Sequence, residues 1–202
     1  MKNPIVRRGS HLLLSLALAA SIYSHNARAE ETDPSSASGP YVTPSVDVSV
    51  HYEMVSPQSP LPVHQDMHWQ VASLRQRIDP ENSAVYMVTS WSDHTLTVVD
   101  TLGHRRSVMP APGATLTLPG QIPPGSFRKL GTDMVSGQLC TVWRTTDQDG
   151  HESDACYTQD GILLQVKQQG RILVRALSVD RTPQPDALFA IPENYSAVAP
   201  AR

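Results

Sequence analysis

The stretch that decides the fold is residues 127–180, FRKLGTDMVSGQLCTVWRTTDQDGHESDACYTQDGILLQVKQQGRILVRALSVD. It consists of short runs rich in β-branched and other apolar residues, and a glycine-containing turn sequence separates each run from the next. Glycine supplies the positive φ that tight hairpins require. Regular short strands joined by such turns are typical of an antiparallel meander. We therefore predict strands over residues 127–134, 138–145, 153–158, 162–167 and 171–180.

The sequence before this stretch also alternates between apolar and polar residues. The alternation predicts a half-buried strand over 46–54, a less regular extended run over 67–78, and strands over 84–90, 95–101 and 104–109. Residues 110–125 contain five prolines. They cannot form a continuous helix or a central strand, so we predict an excursion over the surface or across an opening.

Helix signals are sparse, and one helical turn is predicted at 185–189. Because no helical segments lie between the predicted strands, a parallel sheet is not expected. The sequence therefore predicts an all-β fold with minor helix.

The N-terminus has the three parts of a secretory signal peptide. Basic residues come first (Lys2, Arg7 and Arg8), an apolar run over 12–20 follows, and Ala27-Arg28-Ala29 forms a small-x-small cleavage site. The apolar run is shorter than the ~20 residues that a membrane span needs. We predict a signal peptide at 1–29, a flexible leader at 30–45, a single β domain at 46–195 and a disordered tail at 196–202.

The net charge of the mature chain limits its partners. The segment 1–29 contains four basic residues and no acidic ones, so its removal leaves 12 basic and 19 acidic residues, a net charge of −7. Nucleic acids and anionic lipid surfaces both require positive potential on the protein, so neither is an expected partner. An uncharged or apolar ligand remains compatible with this charge.

The two cysteines, Cys140 and Cys156, are the only ones in the chain. In an oxidising compartment a lone pair of cysteines is expected to form a disulfide. A hairpin with a four-residue loop at 147–150 would place Cys140 opposite residue 157, and a β-bulge near the turn would absorb the offset of one residue. Val142 would then share the cysteine face, while Leu139, Trp143 and Tyr157 would lie on the other.

Three sequence segments resemble a family of uncharacterised exported bacterial proteins that is similar to the lipoprotein-carrier superfamily of the LolA/LolB type. They are Gly131–Trp143, with Gly-Gln-Leu-Cys-Thr-Val-Trp at its end, Cys156–Leu164, and Leu188–Tyr195 with Phe-Ala-Ile-Pro. The resemblance implies a half-open antiparallel β-barrel, LolA-like, whose apolar cavity holds acyl chains beneath irregular or helical segments. The long covering helices of the carriers are not found in this sequence.

Few residues carry a pattern that indicates catalysis or metal binding. His64 and His68, with Asp66 between them, have a spacing that would bring two imidazoles together on a helix. On a strand the same residues lie about 13 Å apart, too far for one ion. Asp93-His94 fits a polar turn better than a carboxylate–histidine pair. Asp147-Gln148-Asp149-Gly150 lacks the later ligands of a calcium loop.

Neither a Gly-x-Ser-x-Gly elbow nor a phosphate-binding glycine loop occurs in the sequence. We therefore predict a non-enzymatic exported protein without a cofactor, which binds an apolar or acyl-bearing ligand, such as a lipid, inside a curved sheet. The resemblance favours the periplasm, and full secretion is the alternative. The side chains expected to line this cavity are Trp69, Val71, Val142, Ile162, Leu164, Val174 and Phe189.

Two alternatives remain open. The first is an envelope structural or protein-interaction module without a small ligand. The second is a metal-dependent hydrolase that uses His64, Asp66 and His68.

Overall fold

The computed structural model describes residues 38–56, 61–113, 115–146 and 150–199. These residues form one twelve-stranded sheet and a single short 3₁₀ helix. The strands are β1 (Val48–Met54), β2 (Val63–Gln70), β3 (Arg75–Pro80), β4 (Val85–Ser90), β5 (Thr95–Asp100), β6 (Arg105–Pro110), β7 (Phe127–Val135), β8 (Gln138–Thr146), β9 (Glu152–Tyr157), β10 (Leu163–Gln168), β11 (Arg171–Asp180) and β12 (Ser196–Ala197).

The sheet is built from two meanders that join in the middle. Its strand order is β12-β6-β5-β4-β3-β2-β1-β11-β10-β9-β8-β7. Strands β1 to β6 form one antiparallel meander, β7 to β11 form the other, and β1 pairs with β11 to connect them. The predicted all-β antiparallel fold is confirmed, with one addition, since β12 pairs with β6 in parallel.

The second meander curls upon itself. Strand β7 lies four positions from β11 in the sheet order, which in a flat sheet would separate them by about 19 Å. Instead, the Ser136 hydroxyl in the β7–β8 turn donates a hydrogen bond to the carbonyl of Ala176 on β11. The sheet is thus half-open, because β7 and β12 at its two ends do not pair with each other.

The extended run predicted over 67–78 is wrong in its middle, where a four-residue turn separates β2 from β3. The turn comprises residues 71–74, and Leu74 has a φ of 50°. Positive φ is unusual for a branched side chain, and no glycine, proline or asparagine marks this turn in the sequence. Val71 therefore lies in a turn and not in a strand.

The segment before β1 lies against the sheet. The Thr43 side chain is buried and donates a hydrogen bond of 2.6 Å to the carbonyl of Thr117. Trp69 Nε1 donates to the carbonyl of Pro44 at 2.9 Å. Residues 38–45, expected within a flexible leader, are therefore tied to β2 and to the proline-rich connection, because these polar contacts hold the backbone in place. Residues 1–37 lie outside the described residues.

Cys140 and Cys156 form the predicted disulfide, with a Cα–Cα distance of 5.5 Å. No bulge interrupts the pairing of the described residues of β8 and β9, since Thr141 pairs with Tyr157 and Val142 with Cys156 in a continuous register. The bridge therefore runs diagonally between β8 and β9, with both cysteines and Val142 on one face.

The buried apolar side chains of the described residues form two clusters. The larger has eleven buried members: Val48, Val50, Tyr52, Met67, Trp69, Val135, Cys140, Cys156, Ile162, Leu164 and Ala176. The smaller has four: Tyr86, Val88, Val99 and Phe189. The chain after β11 reaches the smaller cluster through the 3₁₀ helix Asp186–Phe189, which matches the helical turn predicted there.

Strand β12 follows this helix. Its two residues lie within the segment 196–202, which was expected to be disordered, and two backbone hydrogen bonds hold the strand against β6.

Candidate binding surfaces

Six of the seven side chains predicted to line a cavity belong to the larger cluster or pack against it. Three are core members (Trp69, Ile162 and Leu164), and three are partly buried neighbours (Val71, Val142 and Val174). Phe189 lies instead in the smaller cluster. Six of these residues therefore lie in or against one cluster, and the seventh belongs to the other.

Phe189 and Trp69 lie on opposite faces of the sheet. Trp69 pairs with Gln76, and Gln76 pairs with Thr89, so these three side chains share one face. Val88, the neighbour of Thr89, projects from the other face and packs with Phe189. The chain after β11 carries Phe189 to that second face. The sequence does not show this path, so it could not predict that Phe189 and Trp69 lie on opposite faces.

The interior around Trp69 is filled by side chains. Trp69 is 2% exposed, and both Ile162 and Leu164 are fully buried. The Tyr52 hydroxyl donates a hydrogen bond of 2.7 Å to the carbonyl of Leu163, and burial raises the pKa of Tyr52. A buried tyrosine with its hydroxyl satisfied by a backbone carbonyl is typical of a packed core.

An apolar cleft opens next to this core. It has a volume of about 290 Å³, and the residues that line it include Met54, Met67, Ile78 and Val174, together with Val42 from the segment before β1. Pockets that enclose small molecules usually measure about 300–1,000 Å³. The cleft is therefore at the lower end of this range, and its size suits an apolar side chain better than a long acyl chain.

Histidines and carboxylates alternate on the other face of β1 and β2. His51 Nδ1 lies 2.8 Å from Asp66 Oδ1, and the His51 ring stacks on His64 with centroids 5.6 Å apart. His64 lies 3.0 Å from Glu81 Oε2 and 3.6 Å from Glu53 Oε2. Each imidazole thus has a carboxylate partner of its own.

His68 does not join His64 in a common site. Its Nδ1 lies 3.1 Å from Gln184 Oε1 in the segment after β11, whereas His64 contacts Glu81 and Glu53. Strand β2 keeps the two histidines four residues apart along an extended backbone. Within the described ranges, no group of three or more His, Cys, Asp or Glu side chains has an arrangement that could hold a metal ion.

A buried polar network fastens the segment after β11 to the sheet. Gln70 Nε2 donates to the carbonyl of Gln184 and to Asp186 Oδ1, both at 2.9 Å. Asp47 accepts 2.8 Å hydrogen bonds from the backbone N–H groups of Val71 and Gln184. Both glutamines are buried. These residues could not be identified from the sequence, because single polar residues in strand and loop segments carry no pattern that marks them as partners.

Arg77 extends this network towards the smaller cluster. Its guanidinium forms a bidentate ion pair with Asp79 and lies over the Tyr86 ring, 3.9 Å from the centroid. Its Nη1 donates a 2.7 Å hydrogen bond to the carbonyl of Leu188. Burial raises the pKa of Tyr86, although the nearby Arg77 charge opposes this shift.

A charged cleft of about 320 Å³ lies at the ends of β8, β9 and β10. In it, Arg144 forms two hydrogen bonds to Asp154, of 2.6 and 2.8 Å, and lies 3.3 Å from Glu152. The hydrogen bond from Arg144 lowers the pKa of Asp154, because it stabilises the ionised carboxylate. Arg144 and Asp154 therefore neutralise each other.

The remaining candidates form turns or lie outside the described residues. Asp93 and His94 lie in the turn between β4 and β5, where Asp93 accepts a 2.6 Å hydrogen bond from the Ser90 hydroxyl. Residues 147–149 of the proposed calcium loop are outside the described ranges. In the part of the chain that the structure covers, no helix is long and apolar enough to cross a membrane.

Comparison with solved structures supports the fold. No family model and no curated protein sequence matches the chain. The fold is similar to the crystal structure of an uncharacterized conserved protein from Thermus thermophilus, with a TM-score of 0.56 and 10% identity, over 77% of this chain and 91% of that one.

The fold is also similar to MucB in the Pseudomonas aeruginosa MucA/MucB complex, with a TM-score of 0.52 and 13% identity, over 76% of this chain and 58% of that one. A structure of MucB in complex with MucA(peri) gives a TM-score of 0.53 and 12% identity, over 76% of this chain and 57% of that one. The chain thus spans less than two thirds of the MucB chains. At these identities the likeness establishes the fold alone.

Proposed function

We propose that the mature chain is an exported, non-enzymatic module that binds a protein partner at its surface. The observation that carries the proposal is the filled interior. An acyl-binding role requires a hollow lined by Trp69, Ile162 and Leu164, but these side chains are buried in one continuous cluster. Because the cleft beside this cluster measures only about 290 Å³, we place recognition on the outer surface of the sheet.

The fold comparison favours a protein partner over other ligands. MucB, which has a similar fold, was crystallised with MucA(peri). By analogy with MucB, this chain would also bind a protein. Its motifs resemble the LolA/LolB-type superfamily, whose members share a fold but not a single function. The signal-peptide pattern at 1–29 and the disulfide between Cys140 and Cys156 both support export to the periplasm.

The charged side chains support a non-enzymatic role. Arg144 pairs with Asp154, Arg77 with Asp79, and Arg181 with Asp160. Each charge is neutralised by a partner within the protein, an arrangement typical of structural ion pairs. Catalytic groups, by contrast, usually face an open site with a perturbed pKa.

The proposal can be tested with residues 30–202 in the oxidised form. The tagged protein is incubated with an envelope extract of the cells that produce it, cross-linked mildly and analysed by mass spectrometry. We expect a defined protein that also forms a complex when both components are purified and mixed. Failure to reconstitute any captured protein at micromolar concentration would contradict the proposal.

A parallel experiment tests the acyl-ligand hypothesis. The protein is extracted with organic solvent, and the extract is analysed for lipids. Ile78→Trp fills the cleft, whereas Leu102→Trp adds the same side chain at a position that is 84% exposed. A stoichiometric lipid that is lost only in Ile78→Trp would favour an acyl carrier and contradict the proposed protein-binding role.

A further inference from the structure

Strand β6 exposes backbone hydrogen-bonding groups along its outer edge. The carbonyls of His104 and Arg106 accept hydrogen bonds of 2.9 Å from the N–H groups of Ser196 and Val198. Backbone groups of successive strand residues point to alternate sides, so the N–H and C=O of Val108 face the same outer side as those of Arg106. Residues 107 and 109 direct theirs towards β5, as the bond from Ala111 N–H to the carbonyl of His94 indicates.

Strand β12 covers only the first part of this edge. It pairs with Arg105 and Arg106, and among the described residues no strand pairs with β6 beyond that point. Val108, which follows, is 51% exposed. An uncovered strand edge is a template for an added strand.

The opposite end of the sheet is protected from such an addition. Strand β7 carries Arg128 and Lys129 and has a bulge between Lys129 and Gly131. Lysines and bulges on an edge strand oppose pairing with another chain. The edge of β6 is therefore the more suitable of the two for binding an extended segment.

A cavity of about 320 Å³ lies beside this edge. Val98, Met109 and Val198 form much of its apolar wall. Ser107 also lines it, and its hydroxyl oxygen is buried without a hydrogen-bond partner among the described residues. Buried hydroxyls normally have a hydrogen-bond partner, so a bound segment could supply the polar group that Ser107 lacks. The volume of the cavity would also accept an apolar side chain of that segment.

The charges along the edge of β6 favour some binding partners over others. His104, Arg105 and Arg106 form a basic run on a mature chain with a net charge of −7. Asp100 pairs with Arg105 at 2.7 Å, whereas Arg106 forms no ion pair within the described residues. A second copy of the chain would bring two arginine-rich edges together, which is unfavourable, whereas an acidic segment would be complementary.

We propose that an extended, acidic segment of a protein partner adds to β6 as a strand and displaces β12. A carboxylate of the segment pairs with Arg106, its backbone pairs with Val108, and an apolar side chain enters the cavity between Val98 and Met109. This inference rests on the proposed function, because it names the surface at which the protein partner binds. In the absence of the partner, β12 occupies part of the edge to which the partner segment would bind.

The test uses two labelled peptides, ESAVEVTV and its basic counterpart KSAVKVTV, and the mature chain with an intact disulfide. We expect the acidic peptide to bind about fivefold more tightly than the basic one. Ending the chain after Tyr195 removes β12 and should strengthen binding of the acidic peptide about tenfold, because the peptide no longer competes with β12. Equal affinity for both peptides, or no gain on removing β12, would overturn the inference.

A matched pair of substitutions tests the backbone contact. Val108→Pro removes the outward N–H without removing a hydrogen bond to β5, whereas Val108→Thr keeps the N–H and changes only the side chain. We expect Val108→Pro to weaken binding about tenfold and Val108→Thr to change it less than twofold. Equal affinities of the two variants would overturn the inference.

A charge reversal keeps the test decisive if Val108→Pro does not fold. Arg106→Glu should prefer the basic peptide over the acidic one. An unchanged preference would contradict the role of Arg106. A dimer that sedimentation detects and that Arg106→Glu strengthens, by relieving the repulsion between arginines, would show that a second copy is the occupant.

The peptide assay also separates this inference from the proposed function. A captured and reconstituted partner whose affinity is the same for Val108→Pro and Val108→Thr would leave the function standing and overturn the β6 surface. Peptide binding with the expected selectivity, but without any reconstituted partner, would support the β6 surface and contradict the proposed function.

Discussion

The larger apolar cluster, around β1, and the smaller cluster, beside β4 and β5, differ in which parts of the chain contribute to them. The larger core is closed by the pairing of β1 with β11 and contains the disulfide. The smaller core has four buried members, and one of them, Phe189, comes from the segment after β11. Strands of the same alternating pattern are thus stabilised in two ways, one by a covalent bridge and a long pairing, the other by a short segment docked from the C-terminal side.

Replacing Phe189 should have the strongest effect on this contrast. Phe189→Ala removes a large side chain from a cluster of four, and we expect a loss of about 3–5 kcal/mol in the free energy of unfolding. Amide hydrogen exchange should accelerate mainly in β4 and β5, since Phe189 packs on Tyr86, Val88 and Val99. Leu102→Ala, at an exposed position, is the control and should be close to neutral. Equal acceleration in β1 and β11 would mean that the two cores unfold as one unit.

Removal of the disulfide tests the larger core. The two cysteines are 16 positions apart in the sequence, and the chain-entropy model assigns such a bridge about 3 kcal/mol. We expect the double variant Cys140→Ala/Cys156→Ala to lose roughly this amount in urea unfolding. Reductant should destabilise the natural chain but leave the double variant unchanged. A natural chain insensitive to reductant would contradict a structural role for the bridge.

Asp47 offers a smaller test of the docked segment. Its carboxylate accepts hydrogen bonds from Val71 N–H and Gln184 N–H, so Asp47→Ala should cost about 1–3 kcal/mol. The loss should accelerate hydrogen exchange near Gln184 more than in β8. Asp66→Ala removes an exposed carboxylate that pairs with His51, and as a control it should cost less than about 1 kcal/mol. A similar cost for both variants would argue against the buried network.

Asp160 gives the smallest expected effect, seen through pH. Burial alone would raise the pKa of Asp160, but hydrogen bonds from Arg181 and the Thr158 hydroxyl outweigh it, and the net shift is downward. A carboxyl with a lower pKa in the folded state contributes stability above its ordinary pKa, and this contribution disappears as the pH falls through the folded pKa.

The stability difference between the natural chain and Asp160→Asn should therefore shrink as the pH falls from 6 towards 2.5, as measured by urea unfolding at each pH. A gap that stays constant or widens on acidification would show that the ion pair with Arg181 does not stabilise the fold. Because the pair is partly exposed, the gap should also narrow in high salt.

Local signals in the sequence were sufficient for most strands and for the disulfide. Turn sequences such as Ser136-Gly137 and Gln169-Gly170 place residues of positive φ between β7 and β8 and between β10 and β11, as predicted. Period-two alternation identified β1, in which buried and less buried residues alternate. Glycine-containing turns between short runs rich in β-branched and apolar residues identified the strands of the second meander. The pairing of Cys140 with Cys156 followed from the expected oxidising compartment and from the predicted hairpin that brings them together.

These local signals could not predict long-range strand pairings or turns without typical turn residues. The turn that ends at Leu74 adopts positive φ without any residue that favours it, so the break between β2 and β3 was missed. The pairing of β1 with β11 joins segments more than 100 residues apart, and no local pattern specifies it. The position of Phe189 depends on contacts of Gln70, Asp47 and Arg77 with the segment after β11, which become visible only when the faces of the sheet are known.

Native mass spectrometry of the protein isolated from the envelope tests most directly whether the space inside the curled sheet is occupied by its own side chains. We predict a mass equal to that of the processed polypeptide minus two hydrogens for the Cys140–Cys156 bridge, with no further bound mass other than a protein subunit. A stoichiometric lipid that leaves only on unfolding would contradict a filled interior and, with it, recognition of a protein at the surface.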